Sequence, residues 1–385
     1  MTTPAPTTTK AWTFTKPGEP SAVLALDNAY PMPAFPPQPP VPKAVERLLA
    51  EEWVLVRVAY AALNHGTSFY LRMLPAWARK RGPVVPELDF SGVVEDVWDP
   101  NPNLDPNTHS QRPRLAKGDA VCGFIPVSFA WPTGTGALQG HVAIPARFAV
   151  RAPEGVPLRE AAGLMVAACT ALQVVEAAGL RRGGRVLVNA ASGGIGPMAL
   201  QMARRRVGPE GFVVGVCSGK NAELVRSMGA DEVIDYQQHQ PLAPELKRRY
   251  GSGPFDAALD CIGLQQLYVA SAGFLTPEGV YSAVGLVIPA WTLRHMASCI
   301  VSMQLNALWP RSPWLGGTGR AWCCAAMMDA EPETMRRVAD MAAAGELRAV
   351  VDGGREWAFE DVPAALARLE SRRAAGKVVV RVGDL

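Results

Sequence analysis

At 385 residues the chain is longer than a usual single domain of roughly 100–200 residues, and a hydrophobic content of 49% against 19% charged residues suits two domains that each bury a core. A net charge of +3 gives no case for a nucleic-acid surface, and no uninterrupted apolar run reaches the ~18 residues of a membrane span. The seven cysteines are odd in number and none stands in a Cys-x-x-Cys pair, which points to reduced thiols in a reducing compartment, the cytoplasm, rather than to a disulfide framework.

Residues 1–10 are polar and carry one lysine; without the apolar core of a signal peptide they read as a disordered lead-in. Segments 11–16 and 21–26 predict paired edge strands, and the proline-rich stretch 31–42 must be a loop. Trp53 to Ala59 alternates as a half-buried strand does. A polar turn at Asn64-His65-Gly66 leads into a helical turn over 69–74, followed by strands near 87–94, 117–121 and 141–144. Prolines 153 and 157 mark a boundary, after which 158–179 is helical with a break expected near 167–170. Strands at 186–188, 211–217, 232–235, 256–260 and 279–284 then alternate with helices, the pattern of a parallel sheet. Beyond residue 307 the reading is mixed: a helix over 333–344, strand-like 347–351, a helix ending near 373, and a terminal strand KVVVRV over 377–382.

The organising stretch is RVLVNAASGGIGPMALQMARRR, 185–206, which reads as strand, small-residue turn and helix. Such a turn lets the backbone approach a pyrophosphate, with the helix N-terminus supplying free N–H groups; Ala191, Ser192, Gly193, Gly194, Ile195 and Gly196 are the residues placed to do so. The fit to G-x-G-x-x-G is imperfect, since Ala190 or Ala191 stands at the first glycine, and a glycine turn alone can be purely structural. The second strand ends at Ser218-Gly219-Lys220-Asn221, where an NAD-binding fold has a carboxylate for the ribose hydroxyls. Ser218 and Lys220, with Tyr236 after the next strand, instead suit a 2′-phosphate, so NADPH is expected over NADH. Lys220 read as a mere solvated loop charge is the competing possibility.

With GLRRGGRVLVNAASGGIGPMALQMA, GVCSGKNAELVRSMGADEVIDY, FDAALDCIG and GKVVVRV on the page, the chain resembles the medium-chain dehydrogenase/reductase superfamily, most closely its zinc-independent quinone oxidoreductase and enoyl reductase branch. The resemblance implies an α/β fold in which a GroES-like β domain is interrupted by a Rossmann-type, doubly wound parallel-sheet domain. Its expected boundaries are 1–153 for the first part of the catalytic domain, 154–306 for the NADP domain and 307–385 for the return. It also implies that Asn64, Thr170 and Lys377 lie near the nicotinamide, and that Cys261 and Gly285 line the cofactor. Each has a plainer alternative: a tight turn for Asn64, a helix-break cap for Thr170, a surface lysine for Lys377. Asp89 matches a family position whose role is more easily read as turn capping.

Zinc-dependent members have a cysteine where this chain has Asn64, and a four-cysteine lobe where it has the cysteine-free loop 99–113; no metal is expected. The resemblance then implies hydride addition from NADPH to the C=C of an enone or enoyl thioester, or to a quinone. The proton donor is open among His141, which stands where many relatives have tyrosine, His65, and more weakly Tyr70, and each is readable as structural. An enoyl reductase acting on a carrier-bound chain in a secondary-metabolite pathway is a close alternative, and a non-catalytic NADPH-binding protein is one of another class. Residues 279–328 carry only Arg294, Arg311 and Arg320 as formal charges and hold Trp291, Trp309, Trp314 and Trp322. That stretch is expected to line an apolar substrate cavity, to form a homodimer contact, or both.

Overall fold

The computed structural model describes residues 7–38, 41–73, 80–100, 114–308, 317–324 and 331–384. Two six-stranded sheets dominate. The first is antiparallel and is built from the two ends of the chain. Trp53–Ala62 (β3) is its longest member together with Asp89–Trp98 (β4), followed by Ala120–Phe124 (β5), His141–Pro145 (β6) and Ala149–Arg151 (β7). The C-terminal strand Val379–Arg381 (β14) returns to it, placing Val379 opposite Ala62. The order is β14-β3-β4-β5-β7, with β6 also on β3. An antiparallel pair, Thr8–Thr13 (β1) and Ala25–Pro31 (β2), lies beside it.

The second sheet is parallel throughout and runs Glu232–Asp235 (β10), Phe212–Cys217 (β9), Arg185–Asn189 (β8), Phe255–Asp260 (β11), Leu275–Ala283 (β12), Ala321–Cys324 (β13). Val186, Leu187, Val188, Val213, Val214 and Leu259 in its centre are fully buried, as expected for strands covered by helices on both faces. The order reverses direction between β8 and β11, and that switch point opens a crevice at the carboxyl ends of the strands. The helices Met165–Ala177 and Gly196–Val207 pack on each other, and the Ser282 hydroxyl donates to the Val174 carbonyl at 2.8 Å, fixing the first of them to β12.

Several elements differ from the sequence reading. Ordered strand begins at Thr8, inside the expected lead-in, and residues 21–23 are helical, so β2 starts at Ala25. The helical break falls at residues 162–164 rather than 167–170, between Leu158–Ala161 and Met165–Ala177. Residues 347–351 form no strand; Val351 makes one isolated bridge to Lys377. Strand β13 pairs in parallel with β12, which carries the sheet past the boundary expected at 306. Its four residues are too short for their periodicity to stand out in sequence. No described helix is long and apolar enough to cross a membrane.

The apolar stretch divides. Trp322 is buried on β13, while Trp291 is 39% exposed and lies 5.5 Å from the Arg72 guanidinium, joining the two domains. The helix Leu293–Leu308 turns Leu293, Ile300, Val301, Leu305 and Leu308 outward, and its one buried residue is polar: Asn306 exchanges amide hydrogen bonds with Gln265. Trp309, Trp314 and residues 325–328 lie outside the described residues, as does most of the loop 99–113.

Candidate active site

The switch point is marked by two side chains at the ends of its flanking strands. Asn189, last in β8, donates to Asp260, last in β11, at 2.8 Å. Asp260 also accepts the N–H groups of Ile262 and Leu264 and the Tyr281 hydroxyl at 2.6 Å, so its charge is spent on holding the following loop. Cys261 opens that loop, and burial, with the Asp260 charge, pushes its thiol well above the usual range. A Cβ on Gly263 would lie 2.1 Å from the Gly285 carbonyl oxygen, so the loops after β11 and β12 meet at two glycines. Sequence reasoning missed Asn189, Asp260 and Tyr281; polar residues closing two adjacent apolar strands were the available signal.

Between those strands the turn 190–196 has the geometry of a phosphate cradle. Ala190 takes φ 54°, the left-handed conformation that a glycine usually fills, and its carbonyl accepts the Gly193 N–H. The Ala191 N–H donates to the Val216 carbonyl at 2.9 Å and ties the turn to β9. A Cβ on Gly196 would fall 2.3 Å from the Ala190 oxygen and 2.6 Å from the Ala191 carbonyl carbon, so only glycine lets the helix begin directly behind the turn. No described protein group accepts the N–H of Gly194 or Ile195. Open donors at the head of a twelve-residue helix suit a pyrophosphate.

The adenosine end follows from β9. Asn221 donates to the Ser192 hydroxyl at 2.9 Å, Ser218 is buried at the strand end, and Lys220 is exposed beside it. Tyr236 is anchored by its N–H to the Cys217 carbonyl and leaves 37% of its surface open. One carboxylate not anticipated from sequence, Asp235, stands against Gly219, but its oxygens accept the Gln237 N–H and the Gln238 amide. The residues present therefore fit an NAD(P) molecule lying across the carboxyl ends of the sheet.

The part of the chain that carries the antiparallel sheet meets the turn through its C-terminal segment. The Gly376 N–H donates to the Ser192 carbonyl, and the Lys377 stem lies against Gly163 and Gly194. Lys377 is buried. Its Nζ donates to Asn64 Oδ1 at 2.7 Å and to Asp89 Oδ2 at 3.0 Å. Asp89, fully buried, turns its other oxygen to the Val166 N–H at 2.9 Å, at the start of the helix that holds Thr170. The Asn64 amide nitrogen is within hydrogen-bond range of the Ala62 carbonyl, Asp89 and Glu87, at 3.0, 3.1 and 3.4 Å. Asn64 and Lys377 thus come together beside the glycine turn, but the Asn64 side chain is committed to protein groups. Thr170 sits inside its helix, not at a break, and donates to the Val166 carbonyl at 2.6 Å.

Glu87 is the group that sequence reasoning missed here. It accepts the Asn64 N–H at 3.2 Å, and its backbone is left-handed at φ 69°. Complete burial pushes its carboxyl up to about 7, against the pull of the Asn64 N–H, the Thr67 hydroxyl and Lys377. A non-glycine residue before the Leu88-Asp89 pair gave no warning of positive φ.

The two histidines fare differently. His65 begins the helix His65–Met73 next to Asn64 and is open to solvent. Desolvation by neighbouring protein, then Arg372 and Lys377, lowers its pKa against the pull of Glu370, which favours the neutral ring near pH 7. The structure does not bring His141 to the site. It faces Arg57 in the β3–β6 pair, and the five residues from there to Ala62 span about 17 Å. Its ring nitrogens contact the Thr9 hydroxyl at 3.1 Å and Glu95 at 3.3 Å. Tyr70 is core, 5.9 Å from Trp131 in a stack and edge-on to Phe14. Among the described residues no cluster of three His, Cys, Asp or Glu side chains is arranged to hold a metal.

Comparison with known proteins agrees with this architecture. A family model described as zinc-binding dehydrogenase matches residues 228–380. A trans-enoyl reductase of Penicillium oxalicum (poxH) is 32% identical over 407 aligned residues, covering 98% of this chain and 99% of the relative. A trans-enoyl reductase of Aspergillus terreus (pgmF) is 30% identical, covering 100% and 99%. Among solved structures, a quinone oxidoreductase from Coxiella burnetii superposes with a TM-score of 0.70 at 22% identity, over 97% of this chain and 99% of its own. Sheet order, cofactor turn and full-length likeness agree, and the chain belongs to the medium-chain dehydrogenase/reductase superfamily, in its enoyl and quinone reductase branch.

Proposed function

We propose that the protein is an NADPH-dependent reductase of the C=C bond conjugated to a carbonyl, in an enone, an enoyl thioester or a quinone. The observation that carries this reading is the end-to-end likeness to trans-enoyl reductases, with 98% of the chain aligned. Bound in the crevice, NADPH would supply a hydride to the substrate's β-carbon. The chain's own residues do the rest. Open N–H groups at Gly194 and Ile195 hold the pyrophosphate. Ser218 and Lys220, with Tyr236 beside them, hold a 2′-phosphate, which favours NADPH over NADH. The Lys377 stem packs on Gly194 and fixes the nicotinamide end by shape, while Asn64, Asp89 and the Lys377 ammonium form a closed polar floor. With His65 neutral and His141 remote, water is the source of the α-carbon proton.

The test is NADPH oxidation followed by absorbance over a panel of enones, quinones and free or carrier-bound enoyl thioesters. Turnover of any of them supports the reading, and the preferred member separates a general enone reductase from a secondary-metabolite enoyl reductase. Tight NADPH binding with no oxidation across the panel would favour a non-catalytic binding protein. The free thiols suit a cytoplasmic setting. The outward apolar face of Leu293–Leu308, beside the edge strand β13, favours a homodimer. Light scattering that reports a monomer at every concentration would remove that part.

A further inference from the structure

We propose that Glu87 is a positioning residue which, by accepting both the backbone and the side-chain N–H of Asn64, holds that amide against Lys377 and Asp89 and so fixes the reacting end of the cofactor crevice. This rests on the reading that Asn64 lies at that end.

Three observations converge. The contacts are two-pronged: Oε1 takes the Asn64 N–H at 3.2 Å and Oε2 faces the amide nitrogen at 3.4 Å. The amide is thereby oriented with its oxygen toward Lys377 Nζ at 2.7 Å. The backbone is left-handed at φ 69°, a conformation that costs a side chain and persists where the surroundings impose it. The surroundings do so: the Glu87 carbonyl accepts the Ala137 N–H at 2.8 Å, and a Cβ on Gly136 would lie 2.4 Å from the Pro86 oxygen, so a second loop clamps the turn. A carboxylate is then carried in a fully buried place where a glycine would fit the backbone better.

The groups around Glu87 are few. Lys377 approaches from the segment before β14, Asp89 lies two residues on, Thr67 reaches in from the helix His65–Met73, and His65 is the neighbour of Asn64. The clamping loop, residues 136–139, has no charged side chain. With its carboxyl held near 7, Glu87 gains or loses a proton around neutrality. Ionised, both oxygens accept from Asn64; protonated, one oxygen becomes a donor and the longer contact is the first to go.

The test labels asparagine with ¹⁵N in the full-length protein with NADPH, identifies the Asn64 amide signal by its loss in Asn64→Ser, and titrates it over roughly pH 5.5 to 8.5. The expected result is a midpoint near 7 in the native protein and a flat response in Glu87→Gln. In enone reduction, Glu87→Gln should lower kcat by about 10- to 100-fold with little change in KM. If Glu87→Gln does not fold, Glu87→Gly relieves the left-handed backbone and takes the same two measurements. An Asn64 signal whose position and pH response are the same in Glu87→Gln as in the native protein overturns the proposal, as does an unchanged kcat in that variant. A native protein that reduces no enone overturns the functional reading, and the titration still decides the role of Glu87.

Discussion

Lys377 and Asn64, separated by 313 positions in sequence, share a 2.7 Å hydrogen bond where the antiparallel sheet's end meets the glycine turn. The same ammonium is paired with Asp89, and neither side chain has more than 3% of its surface open. Removing one member of a buried pair leaves the other charge uncompensated. Lys377→Met should therefore destabilise the fold by about 3–5 kcal/mol. Guanidinium unfolding measures it. Adding Asp89→Asn should return part of that loss, because the orphaned charge goes with it. A Lys377→Met protein as stable as the native one would mean that the pair contributes nothing.

Selection of the cofactor's 2′-phosphate is a separate property, which the proposed function assigns to Ser218 and Lys220. A hydrogen bond to a charged group contributes about 1.5–3 kcal/mol, so losing the Lys220 contact in Lys220→Ala should weaken NADPH binding by about 10- to 100-fold and leave NADH binding nearly unchanged. Ser218→Asp puts a carboxylate where the phosphate would lie and should reverse the preference. Fluorescence titration with both cofactors measures this. If Lys220→Ala weakens both cofactors equally, the lysine does not read the phosphate.

Much of this arrangement is legible in the sequence alone, for a physical reason. Strand β8 and its turn are local: a buried apolar run, then small residues, then helical spacing over 185–206. The terminal strand was equally plain, since KVVVRV has little other use. The parts that were not legible depend on pairing across long separations. Glu87 gains its meaning from Asn64 and from a clamp at residues 136–137, and nothing in the local sequence foretells a left-handed glutamate. Asp260 reads as the polar end of a strand until Asn189 and Tyr281 arrive from two other strands. Strand β13 is four residues recognised only by its partner β12. His141 shows the converse: a residue type that suits proton transfer, set by strand register five residues away from the useful end of β3.

That register yields a prediction about the proton. His65 lies beside Asn64, but desolvation and the nearby cations favour its neutral form near pH 7, and His141 is occupied by Thr9 and Glu95. On the proposed function neither serves as the acid. His65→Gln and His141→Gln should each leave kcat for enone reduction within about twofold of the native value at pH 7, against the 100-fold or greater loss expected for removal of a general acid. A loss of that larger size in either variant would identify the donor and displace water from the role.

The dependence of stability on pH isolates Glu87. Its carboxyl has an ordinary value of 4.5 in the unfolded chain and is raised to about 7 by burial in the fold. The folded state therefore binds the proton more tightly. Its stabilising contribution is complete below pH 4.5 and is lost as pH rises through 7. At 1.36 kcal/mol per unit, the difference amounts to about 3 kcal/mol between the two limits. Glutamine in its place cannot titrate. The stability of the native protein minus that of Glu87→Gln, measured by guanidinium unfolding, should therefore fall by about 3 kcal/mol between roughly pH 4.5 and pH 8. Subtraction removes the carboxylates and histidines common to both chains. The sign is the critical feature: a difference that rises with pH would mean that the ionised form is the one the fold prefers, with Lys377 and the Asn64 N–H outweighing burial.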